Sequence, residues 1–291
     1  LSPFVTLPNH SGYDAEVKTI MISRRTFLLG ALGCGIGPTA IGGYSRLIEP
    51  RWVDVNHIHI KVNTLPKRFE GFTIVQLSDI HHCKYVPAEF IRKCVRQVNA
   101  LSPDIVALTG DFVHDSDTYL PSVVEELSHL KAKEGVFAVP GNHDNKELTL
   151  YALSKSGIRL LINELVPLYR KNDYILIAGV DDLWLGTADV DKTLRDVNGE
   201  PTIMLSHNPD IVAAIKRENV DFVMAGHTHG GQIYIPFVKP TIMYPQFDTL
   251  YISGMFRVGK TTLYVNKGIG TSSYPVRFLA RPEISVFTLT G

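Results

Sequence analysis

The apolar positions of this chain form short runs that are separated by segments with helical periodicity. Each run is predominantly apolar, which is typical of a strand buried on both faces. The runs occupy residues 72–77, 104–109, 135–139, 203–205 and 221–225. Apolar residues recur at amphipathic helical spacing over residues 87–101, 121–130, 148–156 and 210–218. This alternation of strands and helices predicts an α/β fold.

Polar side chains that can bind a metal ion follow each of the five apolar runs directly. Ligands in α/β sheets bind beyond the carboxyl ends of the strands. Five such endings in one chain therefore predict a single site. His227 and His229, at i and i+2, point to the same side in extended or turning backbone. The candidate ligands are seven side chains, with His143 and Asp144 beside them: Asp79, His81, Asp111, Asn142, His207, His227 and His229.

The chemistry of these side chains favours a pair of divalent metal ions. Imidazole, carboxylate and one amide suit manganese, iron or zinc rather than magnesium or calcium. Seven ligands exceed one tetrahedral site, but they fill two sites if one carboxylate bridges. Two ions about 3.5–4 Å apart are suited to in-line displacement at phosphorus. The set contains no cysteine, and Cys34, Cys83 and Cys94 lack metal-binding C-x-x-C spacing.

Composition and missing motifs exclude several other functions. Lys+Arg and Asp+Glu both total 29 residues, so no global field attracts nucleic acid, and we expect no sequence-specific nucleic-acid partner. The Gly-x-Ser-x-Gly, Walker and Gly-x-Gly-x-x-Gly patterns are all missing from the sequence.

The first 45 residues have the pattern of a targeting segment. Residues 23–28 read Ser-Arg-Arg-Thr-Phe-Leu and precede an apolar, glycine-rich run over 29–43, an order that resembles a twin-arginine export signal. The alternative is an ordinary N-terminal anchor. No clear cleavage site follows, so we expect membrane association through this segment. We also expect a partnership with the twin-arginine machinery and a location at the membrane or on its extracytoplasmic side. An uncut inward anchor would instead hold the protein at the cytoplasmic face.

Residues 46–68 form a lead-in with an edge strand over 53–60, and residues 69–291 form the catalytic domain. In this domain five blocks resemble, in order, the signature of the calcineurin-like metallophosphoesterase superfamily. They are Asp79-x-His81, Gly110-Asp111, Gly141-Asn142-His143-Asp144, His207 and Gly226-His227-Thr228-His229. The resemblance implies a four-layer αββα sandwich, which is the metallo-dependent phosphatase fold: two packed mixed β-sheets flanked by helices. The strands near 262–265 and 284–289 are expected in the second sheet.

The same resemblance implies a role for each candidate residue. Asp79, His81 and His229 would hold one metal, while Asn142, His207 and His227 would hold the second. Asp111 would bridge the two ions, with manganese the expected metal and zinc or iron as alternatives. His143 would act as general acid or as hydrogen-bond donor at the leaving group, and the nucleophile would be a metal-bridging hydroxide.

Four residues outside this set carry separate expectations. His114 stands where the Ser/Thr phosphatases of this superfamily have an aspartate that orients the catalytic histidine. We interpret it as an exposed loop residue, the alternative being an extra metal ligand. Asp182 and Trp184 follow a strand at 175–180 and are expected to contact substrate; the alternative is that Trp184 packs on the sheet. Arg277 is expected to bind a phosphate group, the alternative being a solvated side chain.

Taken together, these features predict a dinuclear metal-dependent phosphoesterase that acts at the cell membrane on a phosphodiester or pyrophosphate bond. The nearest resemblance is to a bacterial exported or membrane-associated branch, which includes phosphodiesterases. A related branch member cleaves UDP-2,3-diacylglucosamine in lipid A synthesis. That molecule, or another lipid or nucleotide phosphodiester, is the expected substrate. The alternatives are a phosphomonoesterase and a non-catalytic metal-binding interaction module of the same fold.

Overall fold

A computed structural model describes residues 37–114, 116–215, 220–235 and 250–291. The chain divides into two compact units, residues 1–42 and 43–291. Helix α1 (Gly37–Gly43) is the first described element. Within the described ranges, no helix has the length and apolar character needed to cross a membrane. The predicted export signal lies outside the described residues.

The first sheet contains six strands and is parallel except at one pairing. Its order is β1 (Asp54–Lys61), β12 (Glu283–Thr290), β2 (Thr73–Leu77), β3 (Ile105–Thr109), β4 (Gly135–Val139) and β5 (Ile158–Leu160). β12 pairs antiparallel with β2, and the other neighbours are parallel. The edge strand predicted over 53–60 is therefore confirmed as β1.

The second sheet also contains six strands, with antiparallel pairs at both edges. Its order is β10 (Gly254–Val258), β11 (Thr261–Val265), β9 (Phe222–Ala225), β8 (Thr202–Leu205), β7 (Asp173–Gly179) and β6 (Glu164–Arg170). β10 pairs antiparallel with β11, and β6 pairs antiparallel with β7. The other neighbouring strands are parallel. Both sheets are mixed, as predicted.

Three apolar clusters hold the layers together. Ile74 and Ile105 of the first sheet pack with Ile177, Ile203 and Phe222 of the second, which forms the central core. A second cluster packs helices α2 (Ala88–Ala100), α3 (Leu120–Leu127) and α4 (Lys146–Ser154) on the outer face of the first sheet. A third covers the outer face of the second sheet with α5 (Val190–Thr193) and the turn at Pro209–Ala214. The result is the predicted sandwich of two sheets between helical layers.

Two elements differ from the sequence expectations. The predicted helix at 210–218 is a 3-10 helix over Pro209–Ala214, and residues 216–219 are not described. β12, expected in the second sheet, lies in the first between β1 and β2. Nearly all of its side chains are buried, so its apolar run shows that it is enclosed but does not indicate by which sheet.

Candidate metal centre

The polar side chains that follow β2, β3, β4, β8 and β9 meet at one place, as the strand endings predicted. Five of them line a cavity of about 120 Å³ together with Trp184, Ser272 and Ser273; the five are Asp111, Asn142, His143, His227 and His229. Five of the predicted ligands are almost fully buried, with exposed fractions of 0–2%. These five are Asp79, His81, Asp111, His207 and His229; His227, at 6%, lies at the cavity wall.

One cluster of candidate ligands contains Asp79, His81 and His229. The Nε2 atoms of the two histidines lie 3.0 Å apart, and Nε2 of His229 lies 3.3 Å from Oδ1 of Asp79. Burial lowers the pKa of both histidines well below its usual value. Their rings are therefore neutral and suited to bind a metal ion. One ligand atom from each residue lies within 4.8 Å of the others, so the three can hold one ion.

A second cluster contains Asp111, His207 and His227, with Asn142 beside it. Nε2 of His207 lies 3.2 Å from Nδ1 of His227, 3.2 Å from Oδ2 of Asp111 and 3.1 Å from Oδ1 of Asn142. Nδ1 of His207 lies 2.8 Å from the Thr109 carbonyl oxygen. A hydrogen bond from Nδ1 to this oxygen directs Nε2 toward the cluster, where a metal ion could take the place of its proton.

The carboxylate of Asp111 joins the two clusters. Its Oδ2 lies 3.3 Å from Nε2 of His81 and 3.2 Å from Nε2 of His207. Burial would raise the pKa of Asp111, but the charge of His207 outweighs this effect and holds the pKa well below its usual value. Burial likewise lowers the pKa of His207, yet Asp111 raises it to about 10. The carboxylates therefore stabilise a positive charge at this point, which fits the binding of a divalent cation.

The ligand positions share an uncommon backbone conformation. Asp79, His81, Asp111, His227 and His229 all have positive φ, between 48° and 72°. Such left-handed residues cost about 1–3 kcal/mol each and are concentrated at functional sites. Of the two conformations considered for His227 and His229, the backbone adopts the turning one, and each side chain joins a different cluster. The backbone turn thus separates the two histidines.

Two glycines allow the ligand loops to approach each other closely. A Cβ atom at Gly141 would lie 2.2 Å from Oδ1 of Asp111, and one at Gly226 would lie 2.3 Å from Oδ2 of Asp79. Both distances are too short for any side chain. The glycines that precede Asn142 and His227 are therefore required for packing the ligand loops together.

Backbone amides and a neighbouring carboxylate fix the same loops. Asp144 accepts hydrogen bonds from the backbone N–H groups of Asp111, Phe112 and Gly141 at 2.8–2.9 Å. Asp79 accepts from the backbone N–H of His227 at 3.0 Å and from the hydroxyl of Ser78 at 2.5 Å. Asp144 thus acts as a clamp on the Asp111 loop rather than as a further ligand.

His143 and His114 lie together at the edge of the first cluster. His143 is exposed, and its backbone N–H donates to Oδ1 of Asp111 at 2.8 Å. The ring centroids of His114 and His143 are 5.0 Å apart, and each lies 5.0 Å from that of His81. The interpretation of His114 as an exposed loop residue is wrong, because only 9% of it is exposed. Instead, His114 packs against His81 and His143, and one ring nitrogen of each of the three lies within 4.8 Å of the others.

Trp184 forms a wall of the cavity, whereas Asp182 supports it from behind. The Trp184 ring stands edge-on to His227, with centroids 4.2 Å apart, and the residue is 45% exposed. Oδ1 of Asp182 accepts from the backbone N–H groups of Trp184 and Leu185 at 2.9 and 2.7 Å. Asp182 is only 3% exposed and is not among the described cavity-lining residues. The expected direct contact between Asp182 and substrate is therefore corrected to a role in holding the Trp184 turn.

Arg277 lies inside the protein, contrary to both sequence interpretations. It has no exposed surface. Its guanidinium donates to the carbonyl oxygens of Lys267, Gly270 and Ala280 at 2.5–3.0 Å. Nη2 also lies 3.3 Å from Nδ1 of His229. Arg277 cannot contact a phosphate group from this position, and it instead fixes the loop 267–280 behind His229.

Sequence reasoning missed the residues that position the ligands. Gly268 and Gly270 lie against the Asp79 loop, where a Cβ atom would meet Cβ of Asp79 at 2.5 Å or the Ile80 carbonyl oxygen at 2.1 Å. The Gly268-Ile269-Gly270 spacing was a possible signal, but no strand pattern placed it near the site. Ser78, directly before Asp79, could have been identified as the residue whose hydroxyl supports the ligand.

Comparison with known proteins agrees with the geometry of the centre. Residues 72–231 match the family described as calcineurin-like phosphoesterase. An uncharacterized metallophosphoesterase, YkuE of Bacillus subtilis (strain 168), is 36% identical over 280 residues, covering 92% of this chain and 98% of the relative. Phosphodiesterase YaeI of Escherichia coli (strain K12) is 31% identical over 279 residues, covering 92% and 100%.

A third relative is a zebrafish (Danio rerio) transmembrane protein with a metallophosphoesterase domain. It is 33% identical over 258 residues, covering 82% of this chain and 57% of the relative. The match to the family extends from β2 through both ligand clusters to Gly231. This chain is therefore a member of the calcineurin-like phosphoesterase family.

Proposed function

We propose that the protein hydrolyses a phosphodiester or pyrophosphate bond in a lipid or nucleotide substrate, using two divalent metal ions. The observation that carries the proposal is the pair of clusters that share Asp111 at the base of a cavity open to solvent. The name of the Escherichia coli relative, a phosphodiesterase, supports the choice of a diester.

The residues present fit two ions. Asp79, His81 and His229 would hold one, and His207, His227 and Asn142 the other, with Asp111 shared between them. The nitrogen-rich donor set favours manganese, with zinc or iron as alternatives. When bound, the ions supply charge neutralisation at the phosphate and a lowered pKa for water.

The protein side chains contribute position and proton transfer. His143 is exposed at the cavity and its backbone is fixed by Asp111, so its ring can donate a proton to the leaving oxygen. His114, packed at 5.0 Å from that ring, restricts its orientation. The flat, half-exposed Trp184 ring beside His227 can stack on a base or a sugar, or cover a lipid chain.

Hydrolysis of bis-p-nitrophenyl phosphate in the presence of manganese tests this function. We expect turnover by the wild-type protein and a loss of about 10²–10⁴-fold in His143→Ala, which removes the proton donor. Metal content measured by inductively coupled plasma mass spectrometry should remain unchanged in the variant.

His57→Ala, a change on the exposed face of β1, is the matched control and should retain full activity. Full activity in His143→Ala would contradict the acid role. Faster cleavage of p-nitrophenyl phosphate than of the diester would favour a phosphomonoesterase. No turnover of either compound by the metal-loaded wild type would favour a binding module.

Counting the bound ions tests the assignment of His227 and His229. Each histidine approaches a different cluster, so His229→Ala should lose the ion shared with Asp79 and His81. His227→Ala should lose the ion shared with His207 and Asn142. Each variant is expected to bind one ion per chain where the wild type binds two, with a different site emptied in each. Electron paramagnetic resonance of manganese-loaded protein distinguishes coupled from single ions. Loss of the same ion from both variants would contradict the division.

The cellular location decides between substrates. UDP-2,3-diacylglucosamine forms on the cytoplasmic side, whereas a working twin-arginine signal would carry the domain outward. We propose an extracytoplasmic, membrane-associated enzyme, which favours another lipid or nucleotide phosphodiester. Cell fractionation with protease accessibility on intact spheroplasts should show a membrane-bound, digestible domain. A protected domain would support the inward anchor and the UDP-2,3-diacylglucosamine substrate.

A further inference from the structure

A second cavity, separate from the metal centre, combines positive charge with apolar walls. Its volume is about 170 Å³. Its cationic side chains are Arg46, Arg51 and Lys84, and its walls include Tyr85, Pro87 and Phe90. No aspartate or glutamate is among the described residues that line it. The cavity therefore has a formal charge of +3 in a chain whose net charge is zero.

The three cations are ordered by neutral partners. The Arg46 guanidinium lies 5.0 Å from the centroid of the Tyr85 ring, and Nζ of Lys84 lies 4.8 Å from the same centroid. Arg46 also donates to the Pro275 carbonyl oxygen, and Arg51 donates to that of Leu47. In the part of the chain that the structure describes, no carboxylate forms an ion pair with any of the three. Their charges are held close together without being neutralised, so they can attract an anion.

Large apolar side chains on the same segment are exposed. Leu47, which lines the cavity, is 61% exposed, and its neighbour Ile48 is 48% exposed. Tyr85 and Trp52 are 45% and 40% exposed. Cationic side chains interspersed with exposed aliphatic and aromatic residues are typical of surfaces that rest on a lipid interface. A free inorganic anion would not contact these exposed apolar side chains.

We propose that this cavity binds the phosphate headgroup of an anionic phospholipid, with Leu47 and Ile48 entering the acyl boundary. Arg46 and Arg51 supply planar donors that match phosphate oxygens, and Lys84 adds a third charge. The residues that line the cavity lie within 46–51, 84–90 and 269–275. Its wall at Gly270 and Thr271 continues directly into Ser272 and Ser273, which line the metal centre. Lipid bound here would hold the catalytic cavity beside the membrane surface.

Vesicle sedimentation of the chain of residues 1–291 tests the proposal. The probes are vesicles of phosphatidylcholine alone and of phosphatidylcholine mixed with phosphatidylglycerol. The triple variant Arg46→Gln, Arg51→Gln, Lys84→Gln should bind the mixed vesicles about 100-fold more weakly, since each cation near an anionic membrane contributes about fivefold. The wild type and the triple variant should bind vesicles of phosphatidylcholine alone equally. Both keep residues 1–43, the segment expected to associate with membranes.

The control variant removes three exposed cations elsewhere, Lys93→Gln, Arg96→Gln and Lys171→Gln, and should bind both vesicles as the wild type does. Equal losses in the two triple variants would overturn the proposal, because they would show only a general charge effect. A second result would also overturn the proposal. In that result, inorganic phosphate raises the Tm of the wild type but not that of the cavity variant, which is Arg46→Gln, Arg51→Gln, Lys84→Gln, while the two proteins bind vesicles equally. That result would indicate a free-phosphate site.

Two measurements separate this inference from the proposed hydrolysis. Vesicle binding should be the same with manganese and with a chelator, since no metal ligand lines the cavity. Hydrolysis of the soluble bis-p-nitrophenyl phosphate should be unchanged in the cavity variant. Loss of vesicle binding after chelation would assign the lipid to the metal centre and contradict a separate site.

Discussion

Replacing Asp111 with asparagine is expected to lower kcat/KM for bis-p-nitrophenyl phosphate by about 10³-fold or more, which corresponds to several kcal/mol of lost transition-state stabilisation. The two residues have nearly the same shape. The amide, however, lacks the charge of the carboxylate whose Oδ2 lies within 3.3 Å of both His81 and His207. Metal content should fall from two ions per chain to one or fewer.

Asp117→Asn makes the same chemical change on an exposed residue that follows the same strand. It should retain both ions and full activity. Thermal unfolding of the chelated proteins provides a second check, because Asp111→Asn should remain folded when only the metal ligand is lost. An Asp111→Asn protein that binds two ions and keeps more than a tenth of the activity would show that Asp111 does not join the two sites.

The site could be predicted largely because it is built from strand endings. Asp79, Asp111 and His207 each follow an apolar run that is too regular to be mistaken for a loop. The carboxyl ends of neighbouring parallel strands must lie at the same edge of a sheet. Asp79 and Asp111 follow neighbouring parallel strands of the first sheet, and the packing of the two sheets brings His207 of the second to 3.2 Å from Asp111. The local sequence pattern was therefore sufficient to predict the ligands that directly follow apolar strands.

The remaining features depend on tertiary contacts that no local pattern records. β11 and β12 are both largely buried, yet they belong to different sheets because the segment between them crosses the sandwich. His114 is polar and follows a ligand loop, so it looks exposed in the sequence, but the His81 and His143 rings cover it. Positive φ at Asp79 and its counterparts also had no sequence signal, since these are not glycines. Such strain persists only because the surrounding contacts enforce it.

The buried position of Arg277 also depends on tertiary contacts that the sequence pattern does not indicate. Replacing this residue is expected to have a large effect on stability. Arg277→Met should lower the free energy of unfolding by about 3 kcal/mol, because several buried carbonyl oxygens would lose their donors. For a domain of this size, that change lowers Tm by about 6–12 °C. Differential scanning calorimetry of the metal-free protein measures it directly. Metal affinity should fall about 10–100-fold as well, since the guanidinium supports His229.

Matched variants separate the structural role of Arg277 from the substrate contact that the sequence suggested. Arg277→Lys keeps the charge but cannot reach the carbonyl oxygens of Lys267, Gly270 and Ala280 together, so its Tm should be intermediate. Arg195→Met, at an exposed position, should change the stability by less than about 0.5 kcal/mol. If Arg277→Met instead raised KM while Tm and metal content stayed at wild-type values, the guanidinium would have to reach the substrate. The buried position would then describe only one of its conformations.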